Sequence, residues 1–275
     1  MFEMCQNGQT RIAAHRGTFG GNIIQNTIAA FDNALLHGAD IIELDVVLSK
    51  DGVFYIFHDG YEKEVLGIDQ HLKHLTSAQI DQLVCTNAFE QASGVGLSRL
   101  EDVLEHLRGR ALINVDRSWH DWKEIIAFLD KHQAHDFCML KSPVHPQLLE
   151  HLAASKSNLM YVPIVKSVEE YHLVREYDVN LVGVELIFGS LEDALVQPTM
   201  MKHFKDSQLF TWVNAIDLGK KYNLSAHLTD TGAITEGFDQ HWGKLIDLGF
   251  DILQTDWPML LRSYILTRNK GKGNV

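Results

Sequence analysis

The 275-residue chain is 45% hydrophobic and 22% charged, a composition that can bury about three quarters of the unfolded surface in one core. Its 24 Lys and Arg against 36 Asp and Glu give a net charge of −12, a field that repels phosphate backbones and anionic membranes. Nucleic acid and membrane surfaces are thereby excluded as expected partners, and a small anionic substrate requires a few local cations or a metal. Cys5, Cys85 and Cys138 are far apart and odd in number, which fits a reducing compartment and argues against disulfides and CxxC metal chemistry. The opening Met1–Gln6 has no basic stretch leading into an apolar one, and no apolar run of about 18 residues follows. A cytoplasmic protein with no membrane anchor is the expectation.

Short apolar runs alternate with helix-period segments, the pattern of parallel βα units. The runs are Ile12–His15, Ile41–Val46, Leu112–Asp116, Phe137–Lys141, Met160–Val165, Val182–Leu186, Phe210–Asn214 and Ile252–Asp256. Asn26 or Thr27 caps a helix whose Ile28, Phe31 and Leu35 share a face, and Gly38 ends it. Capping-box spacing recurs at Ser98 with Glu101 and at Ser167 with Glu170, and a helix around Trp242, Leu245 and Ile246 stops at Gly249. Eight such units with no linker or repeat predict an α/β fold, a (β/α)8 TIM barrel spanning residues 1–275 as one domain.

Two segments break the alternation. Val53–His58 reads as a ninth strand, hairpinned to the second, and residues 61–97 form an inserted segment with one helix, where Thr76 and Gln79 make a capping box ahead of Ile80. Read as a two-residue type I′ turn, Asp51-Gly52 places Asp45 opposite His58. Glu43 and Asp45 alternate onto one face, so two carboxylates and an imidazole are expected together at the C-terminal end of the second strand, where barrel enzymes hold their chemistry.

The strand ends carry His15-Arg16, Glu43 with Asp45, Asp116-Arg117, Lys141 and Asp256, and charges in such buried places need compensation. Glu43, Asp45 and Asp116 suit a hard cation such as Mg²⁺ or Ca²⁺; Arg16, Arg117 and Lys141 suit a bound phosphate; two nearby histidines can supply acid and base. Trp212 and Trp257 are candidates for a pocket wall. His71 with His74 and His132 with His135 have zinc-like spacing, but no third ligand is expected to converge on either pair, and both read as surface residues.

His15-Arg16-Gly17, Asn26-Thr27, Glu43-Leu44-Asp45, Lys50-Asp51-Gly52, His58-Asp59 and Thr255-Asp256-Trp257-Pro258 resemble, in order and spacing, the glycerophosphodiester phosphodiesterases, with Trp212-Val213-Asn214 as a weaker addition. The resemblance implies a barrel hydrolase that releases glycerol 3-phosphate and an alcohol with Mg²⁺ or Ca²⁺. It makes His15 and His58 the acid–base pair, Glu43 and Asp45 metal ligands, and Arg16 a phosphate contact. It sets Asp116 and Arg117 where the family has a carboxylate ligand and a cation in a Glu-x-Lys pattern, with Lys141 as a substitute cation, and it leaves Gln25 where the family has Glu. Two alternatives stand beside it: the same chemistry on a lysophospholipid or another phosphodiester, and a binding barrel without catalysis.

Overall fold

The structure is a computed structural model that describes residues 9–219 and 221–272; Cys5 and the opening Met1–Gln6 lie outside them. Strands β1 (Arg11–His15), β2 (Ile41–Leu48), β4 (Leu112–Asp116), β5 (Cys138–Pro143), β6 (Met160–Val165), β7 (Gly183–Leu186), β8 (Phe210–Asn214) and β9 (Ile252–Thr255) pair in parallel, each with the next. Pairing of β9 with β1 and of β1 with β2 closes the ring into an eight-stranded barrel. Every run expected as a barrel strand is one.

Between the strands run α1 (Ile28–Leu36), α2 (Ser77–Ile80), α3 (Leu100–Leu107), α4 (Trp122–Lys131), α5 (Pro146–Ser155), α6 (Val168–Arg175), α7 (Pro198–Asp206), α8 (Asp230–Thr235), α9 (Trp242–Asp247) and, after β9, α10 (Pro258–Lys272). Thr27, not Asn26, caps α1, its hydroxyl accepting from the Ala30 amide. Ser167 likewise caps α6. The capping box expected at Ser98 and Glu101 does not form: Arg99 is the N-cap of α3 and offers no side-chain acceptor, because Ser98 is taken into the ladder, its carbonyl accepting from Ile56 N at 2.9 Å.

Side chains alternate across each strand, so the same strands fill two places. Outward residues such as Leu44, Val46, Val115 and Leu140 pack under the helices with Phe31, Leu104 and Ile125. Inward residues Ala13, Ile41, Met139, Met160, Val162, Phe210, Trp212 and Ile252 plug the barrel. Trp212 is fully buried in that plug, its indole N–H donating to Gln254 Oε1 at 3.1 Å.

The extra strand β3 (Phe54–Ile56) pairs antiparallel with β2, but its register differs from the expected one by a residue. Val46 faces Ile56 and Leu48 faces Phe54, so Asp45 lies opposite Phe57, whose amide donates to the Asp45 carbonyl at 3.0 Å. The cause is the turn. Ser49 and Val53 close a three-residue loop, Lys50-Asp51-Gly52, with Gly52 in the left-handed region at φ 85°, in place of the two-residue turn. Beyond β3, residues 61–97 build a small core of their own from Val65, Leu66, Leu72, Leu75, Ile80 and Cys85 against Tyr55 and Phe57 of the hairpin. The capping box of Thr76 and Gln79 opens α2 there.

Candidate active site

Strand polarity puts the charged ends of β1, β2, β4 and β5 at one mouth of the barrel. Glu43 and Asp45 point inward from β2, and the parallel register sets Glu43 beside Asn114 and Asp45 beside Asp116. Carboxylate oxygens of Glu43, Asp45 and Asp116 lie within 4.8 Å of one another.

Each carboxylate is partly satisfied. Glu43 Oε2 accepts from the Arg16 amide at 3.0 Å, while its buried Oε1 has no partner among the described residues. Asp45 Oδ2 accepts from Asn26 Nδ2 at 2.9 Å and pairs with Arg16 Nε at 3.0 Å. Asp116 pairs through Oδ2 with Lys141 Nζ at 2.9 Å and accepts the Arg117 amide at Oδ1. Lys141, itself buried, also reaches Glu185 at 3.1 Å. Burial and then the neighbouring Asp45 charge push the Glu43 carboxyl well above the usual range, against the pull of Lys141. Burial would also raise Asp116, but Lys141 outweighs it and holds its carboxyl below the usual value. Burial depresses Lys141 too, yet Asp116, Glu185 and Glu43 together hold its ammonium firmly charged.

Inside the mouth, Glu43, Asp45, Asp116 and Glu185 face two cations, Arg16 and Lys141. Counted as fully ionised, the four carboxylates leave two negative charges, the charge of one divalent ion. Together with the orphaned Glu43 Oε1 and the all-oxygen donor set, this fits a hard divalent cation held by Glu43, Asp45 and Asp116.

The histidines flank this cluster. His15, at the end of β1, has Nδ1 2.8 Å from Asp256 Oδ1, the residue just past β9. His58, beyond the end of β3, stacks edge-on against Tyr61 at 4.6 Å and pairs Nδ1 with the Asp59 carbonyl at 2.9 Å. It feels the Asp45, Arg16 and Arg117 charges, so it borders the site although the hairpin register does not put it opposite Asp45. Burial lowers its pKa, Asp45 opposes that, and Arg16 and Arg117 reinforce it, leaving the imidazole uncharged near neutrality.

The turn after His15 is set by packing. At Gly17, φ 79°, a Cβ would lie 2.7 Å from the Ala30 backbone, so only glycine lets this loop seat on α1. Arg16 itself adopts φ 56°, which directs its guanidinium to Asp45, to Gln25 Oε1 at 2.8 Å and over the Tyr61 ring at 4.9 Å. Gln25 thus meets Arg16 as a neutral acceptor.

Arg117 also adopts a left-handed conformation, φ 58°, directly after β4, so it leaves the strand and rises to the rim over Trp119. An inward pair two residues apart on β4 is Asn114 with Asp116. Asp116 therefore has no inward cation on its own strand, and the cation beside it comes from β5 as Lys141. Trp212 sits deeper, with Lys141 Nζ 5.8 Å from its ring. Trp257 is half exposed at the rim. Contrary to expectation, two further ligands do converge on His71: its Nδ1 lies 3.0 Å from Asp59 and 3.2 Å from Glu62. The inserted segment folds back over the hairpin and brings them there, but both Glu62 oxygens are already engaged by the Gly60 and Leu72 amides.

Sequence reasoning missed the contacts of four residues. Asn26, read as a cap, clamps Asp45 by donating from its side chain and accepting from the Asp45 amide at 3.2 Å. Glu185 was visible as a carboxylate inside an apolar strand run. Asn114, fully buried with both amide atoms unpartnered among the described residues, was visible from alternation on β4. Asp256 had no local signal for a contact with His15 across 241 residues.

A closed parallel barrel with an acidic cluster, paired basic residues and two histidines at its C-terminal mouth is the layout of a barrel hydrolase of anionic esters. A sequence profile described as the glycerophosphoryl diester phosphodiesterase family matches residues 15–256, and the chain belongs to that family. A glycerophosphodiester phosphodiesterase of Bacillus altitudinis is 38% identical over 110 residues, covering 39% of this chain and 44% of that protein. A lysophospholipase D of Mus musculus is 31% identical over 102 residues, 34% of this chain and 31% of that protein. The matched segment thus spans less than half of these relatives. Among solved structures, a glycerophosphoryl diester phosphodiesterase of Parabacteroides distasonis superposes with a TM-score of 0.75 at 16% identity, covering 94% of this chain and 87% of that one. An Oleispira antarctica phosphodiesterase in complex with the product sn-glycerol-3-phosphate superposes with a TM-score of 0.66 at 18% identity, covering 95% and 98%. These likenesses establish the fold.

Proposed function

We propose that the chain is a metal-dependent hydrolase that cleaves glycerophosphodiesters to glycerol 3-phosphate and an alcohol, residues 1–275 forming one barrel domain with an insertion at 61–97. The observation that carries this reading is the convergence of Glu43, Asp45 and Asp116, with an unpartnered Glu43 oxygen, between two histidines. Family membership supports it.

Glu43, Asp45 and Asp116 would hold Mg²⁺ or Ca²⁺, which when bound neutralises charge growing at phosphorus. Arg16 presents its guanidinium to the phosphate, and Arg117 contributes from the rim. Lys141 keeps Asp116 ionised, and Trp212 forms the floor beneath it. His58, uncharged because it is buried, is ready to take a proton from the nucleophile, either water or the glycerol 2-hydroxyl, whose attack gives a cyclic phosphate that water then opens to glycerol 3-phosphate. His15, with Nδ1 held by Asp256, presents Nε2 to return a proton to the departing alkoxide. Gln25 in place of Glu removes one negative charge from beside Arg16 and leaves that cation more available to an anion.

One observation favours a second reading, a lysophospholipid substrate. Phe19, Ile23, Ile24, Val65 and Ala88 line a groove of about 190 Å³ between the β1 loop and the inserted segment. Gln25 and Val65 also border the small space beside His58, so the groove lies next to the chemistry.

Incubation with a panel of glycerophosphodiesters and lysophospholipids, with Mg²⁺ or Ca²⁺, tests both. Glycerol 3-phosphate from at least one glycerophosphodiester, abolished by EDTA, is expected. Turnover that survives EDTA overturns the metal reading, absence of turnover with metal bound favours a binding barrel, and preference for the acyl-bearing members selects the second reading.

A further inference from the structure

Asp230 is a carboxylate only 2% exposed, and the groups acting on it are Asp256, Thr255 and Trp242, none of them a cation. Burying such a group costs stability, and burial pushes its pKa up to about 7. Its hydrogen bonds divide between its two oxygens. Oδ1 accepts from Trp242 Nε1 and from Thr255 Oγ1, both at 2.8 Å, while Oδ2 accepts from the backbone amide of Asp256, also at 2.8 Å.

The Asp256 contact reaches the site. Asp256 follows the last residue of β9, and its carboxylate is the partner of His15 Nδ1. A side chain one residue past a strand end takes its direction from whatever fixes its own peptide. Asp230 fixes that peptide from a rigid place: it is the first residue of α8, its amide donates to the Ala215 carbonyl just after β8, and Thr229 caps the helix.

We propose that Asp230 is a positioning residue that, by holding the Asp256 peptide, aims the Asp256 carboxylate at His15 and so sets the orientation of that imidazole. The proposal rests on the reading of His15 as half of the acid–base pair. A carboxylate that orients a histidine contributes through alignment, so its loss appears in kcat more than in KM.

The geometry provides a selective variant. Asp230→Asn keeps an oxygen for Trp242 and Thr255 and turns an NH₂ toward the Asp256 amide, breaking only the contact that matters here. Trp242→Phe does the reverse. Steady-state kinetics on a glycerophosphodiester should show kcat lowered at least about tenfold in Asp230→Asn and Asp256→Asn, with KM within about threefold, and no further loss in the double variant. Trp242→Phe should lower the melting temperature and leave kcat within about twofold. In parallel, ¹⁵N spectra of the His15 ring, assigned with His15→Gln, should lose the hydrogen-bonded Nδ1–H signal in Asp230→Asn as in Asp256→Asn. Additive losses in the double variant, or equal kcat effects from Trp242→Phe and Asp230→Asn, overturn the proposal. So does an intact His15 signal in Asp230→Asn. If the wild type turns nothing over, the enzyme reading fails, and the His15 signals still decide the role of Asp230. Should Asp230→Asn not fold, Asp230→Ser supplies the same measurements.

Discussion

Two layers lie one above the other inside this barrel, on the same faces of the same strands. Ala13, Ile41, Met139, Phe210 and Ile252 make the lower one. Two residues further along each strand the inward positions hold His15, Glu43, Lys141, Trp212 and Gln254. The lower layer is neutral and fills space. The upper one, in which Trp212 and Gln254 pair as neutral groups, holds charges that satisfy each other incompletely, with Glu43 Oε1 and both Asn114 amide atoms unpartnered among the described residues. A stable plug thus lets an incompletely paired polar layer persist above it, and the polar layer is where a ligand has something to gain.

Breaking the charge pairing of the upper layer should be the costliest change. Lys141→Met leaves Asp116 and Glu185 buried without their shared cation and should destabilise the fold by about 3–5 kcal/mol, measured by chemical denaturation. Glu185→Gln in the same background should recover part of that loss by removing one of the stranded charges.

Asp230 makes the comparison sharper, because it is a charge placed beside the polar layer with no cation of its own. Its folded pKa of about 7 lies above the unfolded 3.8, so the stability it contributes is fully present below about pH 3.8 and is lost as pH rises through 7. Above pH 7 the loss amounts to at most about 4 kcal/mol. Asp230→Asn should therefore gain on the wild type in denaturation experiments as pH is raised from 5 to 8. A difference independent of pH would show that Asp230 titrates normally.

The histidines test whether the upper layer acts as well as sits. His15→Ala and His58→Ala should each lower kcat by at least about 100-fold with melting temperatures near that of the wild type, since neither leaves a buried charge behind. Retention of most of the rate in His58→Ala would reduce that residue to packing against Tyr61.

The smallest effect expected is on metal affinity. Asp116 already spends one oxygen on Lys141 and the other on the Arg117 amide, so Asp116→Ala should weaken Mg²⁺ or Ca²⁺ binding by about tenfold in a calorimetric titration, and Asp116→Glu should keep measurable activity. Wild-type affinity in Asp116→Ala would hand its place at the cluster to Asn114, the neighbour of Glu43 on β4.

What the sequence by itself determined is what repeats or travels with a local pattern. Eight apolar runs separated by helix-period segments define the barrel, because period-two and period-3.6 burial are properties of single segments. Strand polarity then sends Glu43, Asp45, Asp116, Lys141 and His15 to one mouth, since every parallel strand ends there. The hairpin register was out of reach by one residue, because a two-residue and a three-residue turn share the Asp51-Gly52 signal and differ only in which amides close the ladder. Only the tertiary structure decided the partners: Asp256 for His15, Asn26 for Asp45, Glu185 for Lys141, Asp230 for the Asp256 peptide. These contacts are made when ring closure brings β9 against β1 and neighbouring strands into register. A pairing across 241 residues carries no local period, cap or turn residue to announce it.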